Sequence, residues 1–94
     1  MTPLPDDQID AALQDLSGWT REGDALVREW RFADFREAVG FLVRMAFEAE
    51  ARNHHPEVWN VYDRVRLTLT THDAGNRITE RDVALARALS DLTA

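Results

Sequence analysis

The sequence predicts an α+β fold in which helices cover one face of a four-stranded antiparallel sheet, in the order α-β-β-α-β-β-α. Apolar residues recur at helical spacing near the start, the middle and the end of the chain. Between these stretches lie two pairs of segments rich in β-branched and aromatic residues, and each pair is interrupted by a turn. With 94 residues and no repeat or linker, the chain is expected to form one domain, residues 1–94.

The first helix and the first hairpin follow one another directly. The helix is expected from about Asp6 to Leu16, because Pro5 and two aspartates begin it and Gly18 follows it. The hairpin is expected in residues 19–32, with its turn at Glu22-Gly23-Asp24. Its alternation predicts one shared face for Leu26, Trp30 and Phe32.

The central helix has the clearest apolar periodicity, which covers residues 33–53. Asp34 stands where an N-cap is expected. Pro56 disfavours the α conformation in the residue before it, so the helix is expected to end before His55. The adjacent pair His54 and His55 is therefore predicted at the C-terminal edge of this helix.

The second strand pair and the last helix complete the predicted fold. Residues 57–72 are rich in β-branched and aromatic side chains and alternate from residue 64 to 70, which predicts two strands that turn near Tyr62-Asp63-Arg64. The last helix is expected to open at Thr79, in a capping box in which Asp82 takes the usual place of glutamate.

A four-stranded sheet has unpaired edges, and the long strand at 64–71 is expected to be one of them. Pairing of this edge with a second copy of the chain would satisfy its free hydrogen-bonding groups. The sequence therefore predicts a homodimer or homotetramer formed through sheet edges.

Composition limits the classes of partner. The 17 acidic residues exceed the 11 basic ones, all of them arginine, and the formal charge of −6 argues against direct contact with nucleic acid. The chain has no cysteine, which excludes disulfides and thiolate metal sites. No apolar stretch is long enough to span a membrane and the start has no signal-like pattern, so a cytoplasmic protein is expected.

All three histidines of the chain, His54, His55 and His72, fall at the ends of predicted elements. Element ends on one side of an α+β layer can meet in a cleft, and imidazoles both give and take protons near neutral pH. A single surface histidine is usually without function, but an adjacent pair before proline is unusual. Neighbouring side chains point in different directions, so a metal site is not expected. No serine elbow or glycine-rich phosphate loop is present.

A set of spaced residues matches the signature of a known family: Glu50, His54-His55-Pro56, Tyr62, His72 and Asp82. The segments NVYDRVRLTLTTH and TERDVALA agree with it as well. On these residues the chain resembles the pterin-4a-carbinolamine dehydratase family, and the match extends over about residues 34–92. The first helix and hairpin agree with the family fold in order and length.

The resemblance implies a dehydratase that removes water from 4a-hydroxytetrahydropterin and gives quinonoid dihydropterin for recycling, without a metal or a dissociable cofactor. It also implies that His54, His55 and His72 are the catalytic, pterin-contacting imidazoles. Eliminating water requires one proton to leave a ring nitrogen and one to reach the departing hydroxyl, which suits imidazole. Which histidine is the acid and which the base stays open.

Four further residues are expected at the pterin. Glu50 lies four residues before His54, so a continuous helix would place both on one face, where the carboxylate could orient an imidazole. Asn53 would line the same mouth. Trp59 and Tyr62 could stack on the planar ring, although aromatic residues in strands more often belong to the core.

Two residues are expected to support the site. Pro56 fixes the end of the helix, and Asp82 stands at a position that favours an acid in any capped helix, so capping is preferred to catalysis for it. In one position the chain departs from the family: many relatives have two aromatic residues directly after Pro-Glu, whereas here Val58 precedes Trp59. This departure predicts a thinner wall for stacking.

Two other functions stay open at this stage. Some members of the family double as dimerisation partners of a homeodomain transcription factor, so the chain could be an interaction scaffold. It could also handle another pterin cofactor, since a histidine cluster does not define the side chain of the ring. The three histidines favour the enzyme, because a scaffold has no physical need for them.

Overall fold

A computed structural model of the chain, which describes residues 2–94, confirms the α+β class and the order of its elements. The helices and strands are α1 Asp6–Gln14, β1 Thr20–Glu22, β2 Ala25–Arg31, α2 Phe35–Ala51, β3 Glu57–Val61, β4 Arg64–Leu69 and α3 Glu80–Asp91. A short 3-10 turn, His72–Ala74, lies between β4 and α3. The first helix ends two residues earlier than expected, but Leu16 is still buried beneath it.

The four strands form one antiparallel sheet in the order β1-β2-β4-β3. The prediction that residues 64–71 form an edge strand is therefore wrong, because β4 pairs with β2 on one side and with β3 on the other. The edges of the sheet are β1 and β3. A central position suits β4, since a strand bonded on both sides leaves no main-chain groups exposed.

One face of the sheet carries the core. Val65, Leu67 and Leu69 alternate along β4 and are at most 1% exposed, whereas the residues between them are half-buried. The predicted inward residues of β2, Leu26 and Trp30, are buried on the same face. The helices cover this face, and its core also contains these helix residues: Ile9, Ala38, Phe41, Met45, Ala49, Val83, Leu85, Ala86 and Leu89.

Aromatic rings join α2 to the sheet. The Phe41 ring lies 4.7 Å from the ring of Trp30 and 5.2 Å from that of Phe32, and Trp19 meets Trp30 edge to face at 5.6 Å. Offset and edge contacts of this kind add to the free energy gained by burying the rings. The position of α2 on the sheet therefore depends strongly on Phe41.

The N-terminus of α2 is capped as the sequence predicts. The Asp34 carboxylate accepts a hydrogen bond from the main-chain N–H of Glu37 at 2.9 Å. This bond, with a further one from the Arg36 side chain, holds the pKa of Asp34 below its usual value. The cap fixes where the long helix begins.

The apolar periodicity of α2 serves two surfaces. Its buried side consists of Ala38, Phe41, Met45 and Ala49. A second apolar row lies outside the core, formed by Phe35, Val39, Val43 and Phe47. We call this row the exposed α2 stripe; its most exposed member, Phe47, has 73% of its surface accessible.

None of the helices in residues 2–94 combines the length and apolar character needed to cross a membrane.

Replacing Phe41 by alanine is expected to lower the free energy of unfolding by about 3–5 kcal/mol, because it leaves a cavity among the aromatic rings. Urea unfolding followed by tryptophan fluorescence measures this loss. Arg44→Ala, on the exposed side of the same helix, is the matched control and should change the free energy by no more than about 0.5 kcal/mol. Equal losses in both variants would contradict the assignment of Phe41 to the core.

Candidate active site

The turn that ends α2 delivers the histidine pair. Asn53 adopts the left-handed conformation with φ of 48°, which asparagine tolerates better than most residues. Its N–H donates to the Glu50 carbonyl and the N–H of His54 donates to the Ala49 carbonyl, both at 3.0 Å. This is the pattern of a Schellman motif. The turn reverses the chain and brings His54 beneath the start of α3.

A buried carboxylate holds His54. The imidazole Nε2 lies 2.6 Å from Asp82 Oδ1, and the two side chains are only 7% and 0% exposed. The other carboxylate oxygen, Oδ2, accepts from the Thr79 N–H and from the Thr71 hydroxyl, each at 2.8 Å. The Thr79 hydroxyl lies 2.6 Å from that of Thr71 and accepts from the N–H of Arg81. Donors from three parts of the chain therefore converge on one carboxylate.

These contacts determine the tautomer of His54. An ionised carboxylate only accepts hydrogen bonds, so the imidazole nitrogen facing Asp82 must carry a hydrogen. In the neutral ring the other nitrogen, Nδ1, is then the proton acceptor. The predicted capping box of Thr79 and Asp82 is confirmed. The same carboxylate caps α3 and also orients an imidazole. In the sequence analysis, capping and a role in the site were alternatives for Asp82.

His55 has a different partner. Its Nε2 lies 2.8 Å from Glu50 Oε1, and both side chains are mostly exposed, at 59% and 79%. The expectation that a continuous helix places Glu50 and His54 on one face is wrong, because α2 ends at Ala51 and His54 lies beyond the helix. The imidazole that Glu50 contacts is that of His55. A contact between two exposed polar side chains contributes little to stability, so Glu50 guides the His55 ring without fixing it.

His72 opens the 3-10 turn after β4 and is exposed. Its Nδ1 lies 3.2 Å from the side-chain oxygen of Asn76. The oxygen of an amide accepts, so Nδ1 donates and Nε2 is the acceptor of the neutral ring. The neighbouring Thr71 is buried in the Asp82 network, which ties the base of this turn to the core.

The three histidines line one cavity of about 240 Å³. Asn53 and Arg81 share it, together with Thr70, Thr71 and Asp73. Beside it an apolar groove of about 580 Å³ runs between α2 and β3, and Glu50, His55 and Pro56 belong to its lining. His55 therefore faces both the polar cavity and the apolar groove. We call the first of these the histidine cavity.

Two of the expected pterin contacts lie elsewhere. Trp59 is on the helix-free face of the sheet, with the guanidinium groups of Arg64 and Arg66 5.3 Å and 4.8 Å from its ring centre. Tyr62 is in the turn between β3 and β4 and is 64% exposed. Neither lines the histidine cavity, and neither belongs to the core that was the competing expectation.

The sequence-based prediction missed Thr71 and Arg81. Both are adjacent to residues that it did select, namely His72 and Asp82. One signal was available for Arg81, because a cation in the first turn of a helix opposes the helix dipole and calls for a local reason. Within residues 2–94, no group of three or more acidic or histidine side chains is arranged to hold a metal ion.

Comparison with known proteins identifies the family of the chain. The family model described as pterin 4 alpha carbinolamine dehydratase matches residues 2–92. A protein of Opitutus terrae that is named for this family is 53% identical over 92 residues, which cover 98% of this chain and 95% of that protein. A protein of Thermomicrobium roseum with the same name is also 53% identical, with 98% of each chain covered.

Solved structures show the same fold. The crystal structure of a transcriptional coactivator/pterin dehydratase from Brucella melitensis superposes with a TM-score of 0.94 at 37% identity, over 99% of this chain and all of that one. A pterin dehydratase-like protein, described as a RuBisCO assembly factor of the alpha-carboxysome, superposes with a TM-score of 0.65 at 20% identity over 79% of this chain and 84% of that one, which shows a shared fold alone. The family match and the identities over nearly the whole chain establish that this protein belongs to the pterin 4 alpha carbinolamine dehydratase family.

Proposed function

We propose that the protein dehydrates a 4a-hydroxytetrahydropterin to quinonoid dihydropterin and water, as a step in tetrahydropterin recycling, through histidine acid/base catalysis. The observation that carries the proposal is the meeting of His54, His55 and His72 in one cavity of a chain that belongs to this family. Each of these imidazoles has a hydrogen-bonding partner that favours one tautomer. The proposal requires neither a metal nor a dissociable cofactor.

The reaction is a paired proton transfer. The C4a–O bond breaks, a proton joins the departing hydroxyl to form water, and a ring nitrogen loses its proton as the double bond to C4a forms. Groups that can donate or accept on opposite sides of the substrate accelerate such a step by about 10²–10⁴ each. Three imidazoles around one cavity supply both kinds of group without a change of pH.

His54 is suited to accept a proton in a defined direction. Because Asp82 fixes the hydrogen on Nε2, the free lone pair of the neutral ring is on Nδ1. Burial of both side chains prevents the ring from turning. His55 and His72 are exposed, so they can exchange protons with solvent between turnovers. We leave the acid and base roles unassigned among the three.

The remaining expected contacts divide by position. Asn53 lines the histidine cavity and Glu50 holds His55, so both stay in the proposed site. Trp59 and Tyr62 stay predictions as stacking residues, and the cavity gives them no place within a single chain. The apolar groove next to His55 offers room for a nonpolar part of the substrate.

We also propose that the protein forms a homodimer or homotetramer through a sheet edge, now assigned to β3. This strand is unpaired on its outer side, and its residue Val58 is 50% exposed. Val58 lies beside Val43 and Phe47 of the exposed α2 stripe, in the apolar groove. A free edge next to an apolar surface is a favourable place for a second copy to pair.

A non-catalytic scaffold is the competing hypothesis, since an exposed apolar surface would serve assembly as well. Handling of a different pterin cofactor is a third. The histidine network favours catalysis over a scaffold, because orienting an imidazole with a buried carboxylate adds nothing to a docking surface. An activity assay separates the three hypotheses.

The first prediction concerns catalysis. Stopped-flow ultraviolet spectroscopy should show that the protein accelerates dehydration of enzymatically generated 4a-hydroxytetrahydropterin. His54→Ala and His72→Ala should each lower the rate by about 10²–10⁴, because each removes a proton-transfer group. Arg77→Ala, an exposed change near His72, should leave the rate unchanged. Full activity in both histidine variants would refute histidine catalysis, and an inactive, folded wild type would favour the scaffold or another pterin.

The second prediction concerns Asp82. An amide in place of its carboxylate offers one acceptor oxygen and a donor where three donors converge, so Asp82→Asn should lower the free energy of unfolding by on the order of 3 kcal/mol and reduce activity. Urea unfolding measures the loss of stability and the dehydration assay measures the loss of activity. Nitrogen-15 NMR of the His54 ring shows whether its tautomer is kept. Glu80→Gln, an exposed change in the same helical turn, is the control. Identical stability and an unaltered His54 spectrum in both variants would contradict the network.

The third prediction concerns self-association. Light scattering after size-exclusion chromatography should give a wild-type mass of two or four chains. Phe47→Glu and Val58→Glu place charge on the proposed contact and should shift the mass toward one chain, whereas Arg44→Glu, on another side of α2, should not. A monomeric wild type would sink the proposal, as would variants that keep the full oligomer mass.

A further inference from the structure

Arg81 makes contacts that the start of its own helix does not explain. It is the second residue of α3, between the acidic residues Glu80 and Asp82. Acids are favourable in this turn because the N-terminus of a helix carries partial positive charge, and a cation is unfavourable there. The guanidinium turns away to the end of α2, where Nη2 donates to the carbonyl oxygens of Arg52 at 3.1 Å and Asn53 at 2.7 Å.

These two carbonyl groups need a partner. Carbonyl groups at the end of a helix and just beyond it find no N–H donor within the helix, and the Schellman turn after α2 uses only those of Ala49 and Glu50. The C-terminal end of a helix also attracts positive charge. Arg81 therefore supplies N–H donors and a positive charge to the end of α2. The nearer of the two carbonyls that it binds belongs to Asn53, the residue before His54. Both bonds come from Nη2, whose two hydrogens are held in the plane of the guanidinium, whereas a lysine ammonium is a compact charge on a flexible stem and holds two neighbouring carbonyls less well.

Arg81 and Asp82 act on the same segment from adjacent positions. The guanidinium holds the main chain at residues 52 and 53, and the carboxylate holds the ring of residue His54. Asn53 is in the left-handed conformation, which is less favourable for asparagine than for glycine, so contacts that hold the neighbouring carbonyls help to keep it. The Arg81 bonds are such contacts. Arg81 also lines the histidine cavity, so its removal would open the wall next to the imidazoles.

We infer that Arg81 is a positioning residue of this protein: by binding the carbonyls of Arg52 and Asn53, which directly follow α2, it holds the left-handed turn that presents His54 to the histidine cavity. The catalytic consequence rests on the proposed function, whereas the hold on the turn can be measured without any substrate. Arg81 acts through the main chain and needs no contact with the pterin. Its loss should therefore lower kcat more than it raises KM.

The test compares Arg81→Ala, Arg81→Lys and the control Arg87→Ala, an exposed change on the same helix. Amide hydrogen exchange of the His54 N–H, which closes the Schellman turn, reports on the turn itself, and it should quicken at least tenfold in Arg81→Ala and less in Arg81→Lys. In the dehydration assay, kcat should fall by about 10–100-fold in Arg81→Ala, since displacement of a catalytic group by about 1 Å can cost 10²-fold. Arg87→Ala should match the wild type in both measurements.

Guanidinium ion at millimolar, non-denaturing concentration provides a second readout. It should restore part of the kcat of Arg81→Ala and slow the exchange of the His54 N–H, and it should leave the control unchanged. Unchanged exchange in Arg81→Ala, or faster exchange with full kcat, would overturn the inference. If the wild type is inactive in the assay, the exchange data and their response to guanidinium still decide whether Arg81 holds the turn, so failure of the proposed function is seen separately.

Discussion

The buried carboxylate of Asp82 is the interaction on which the rest of the site depends. It is completely inaccessible and accepts hydrogen bonds from the main chain of Thr79, the hydroxyl of Thr71 and the ring of His54. These three groups belong to the cap of α3, the chain after β4 and the chain after α2. Burying a carboxylate costs free energy unless hydrogen bonds replace those that it made to water. The folded chain must therefore keep all three donors in contact with Asp82. One side chain thereby fixes how three elements meet.

The position of the site follows from that junction. The C-terminal end of α2, the C-terminal end of β4 and the N-terminal end of α3 meet on one side of the layer, and each brings a histidine or its support. Burial falls off outward: His54 is 7% exposed, whereas the His55 side chain is 59% exposed. A buried imidazole therefore lines the cavity together with two exposed ones. Such a gradient suits chemistry in which one group must be aimed and others must exchange protons with water.

Sequence patterns predicted the features that depend on residues close together in the chain. They could not predict which distant segments pair with one another. The capping box was visible because Thr79 and Asp82 are three residues apart, and the alternation of β4 correctly gave its inner face. The same alternation is compatible with an edge or a central strand, so the sheet order could not be predicted. Pro56 shows that α2 cannot continue past it but not that the helix ends at Ala51, and for this reason Glu50 was expected on the same helix face as His54. The partner of His54 is 28 residues away.

Stability alone does not account for the pair of His54 and Asp82. Replacing a buried ionisable pair by apolar residues of similar volume is often neutral or stabilising. The free energy gained from the hydrogen bonds of such a pair seldom exceeds the free energy lost by removing its two groups from water. The cap of α3 needs only one oxygen of Asp82, the one that faces Thr79. The second oxygen contacts the ring of His54. Without this contact, neither the tautomer nor the orientation of the ring would be fixed. Proton transfer requires an imidazole with a fixed tautomer and direction, whereas a docking surface does not, so this contact supports the proposed catalysis over a scaffold.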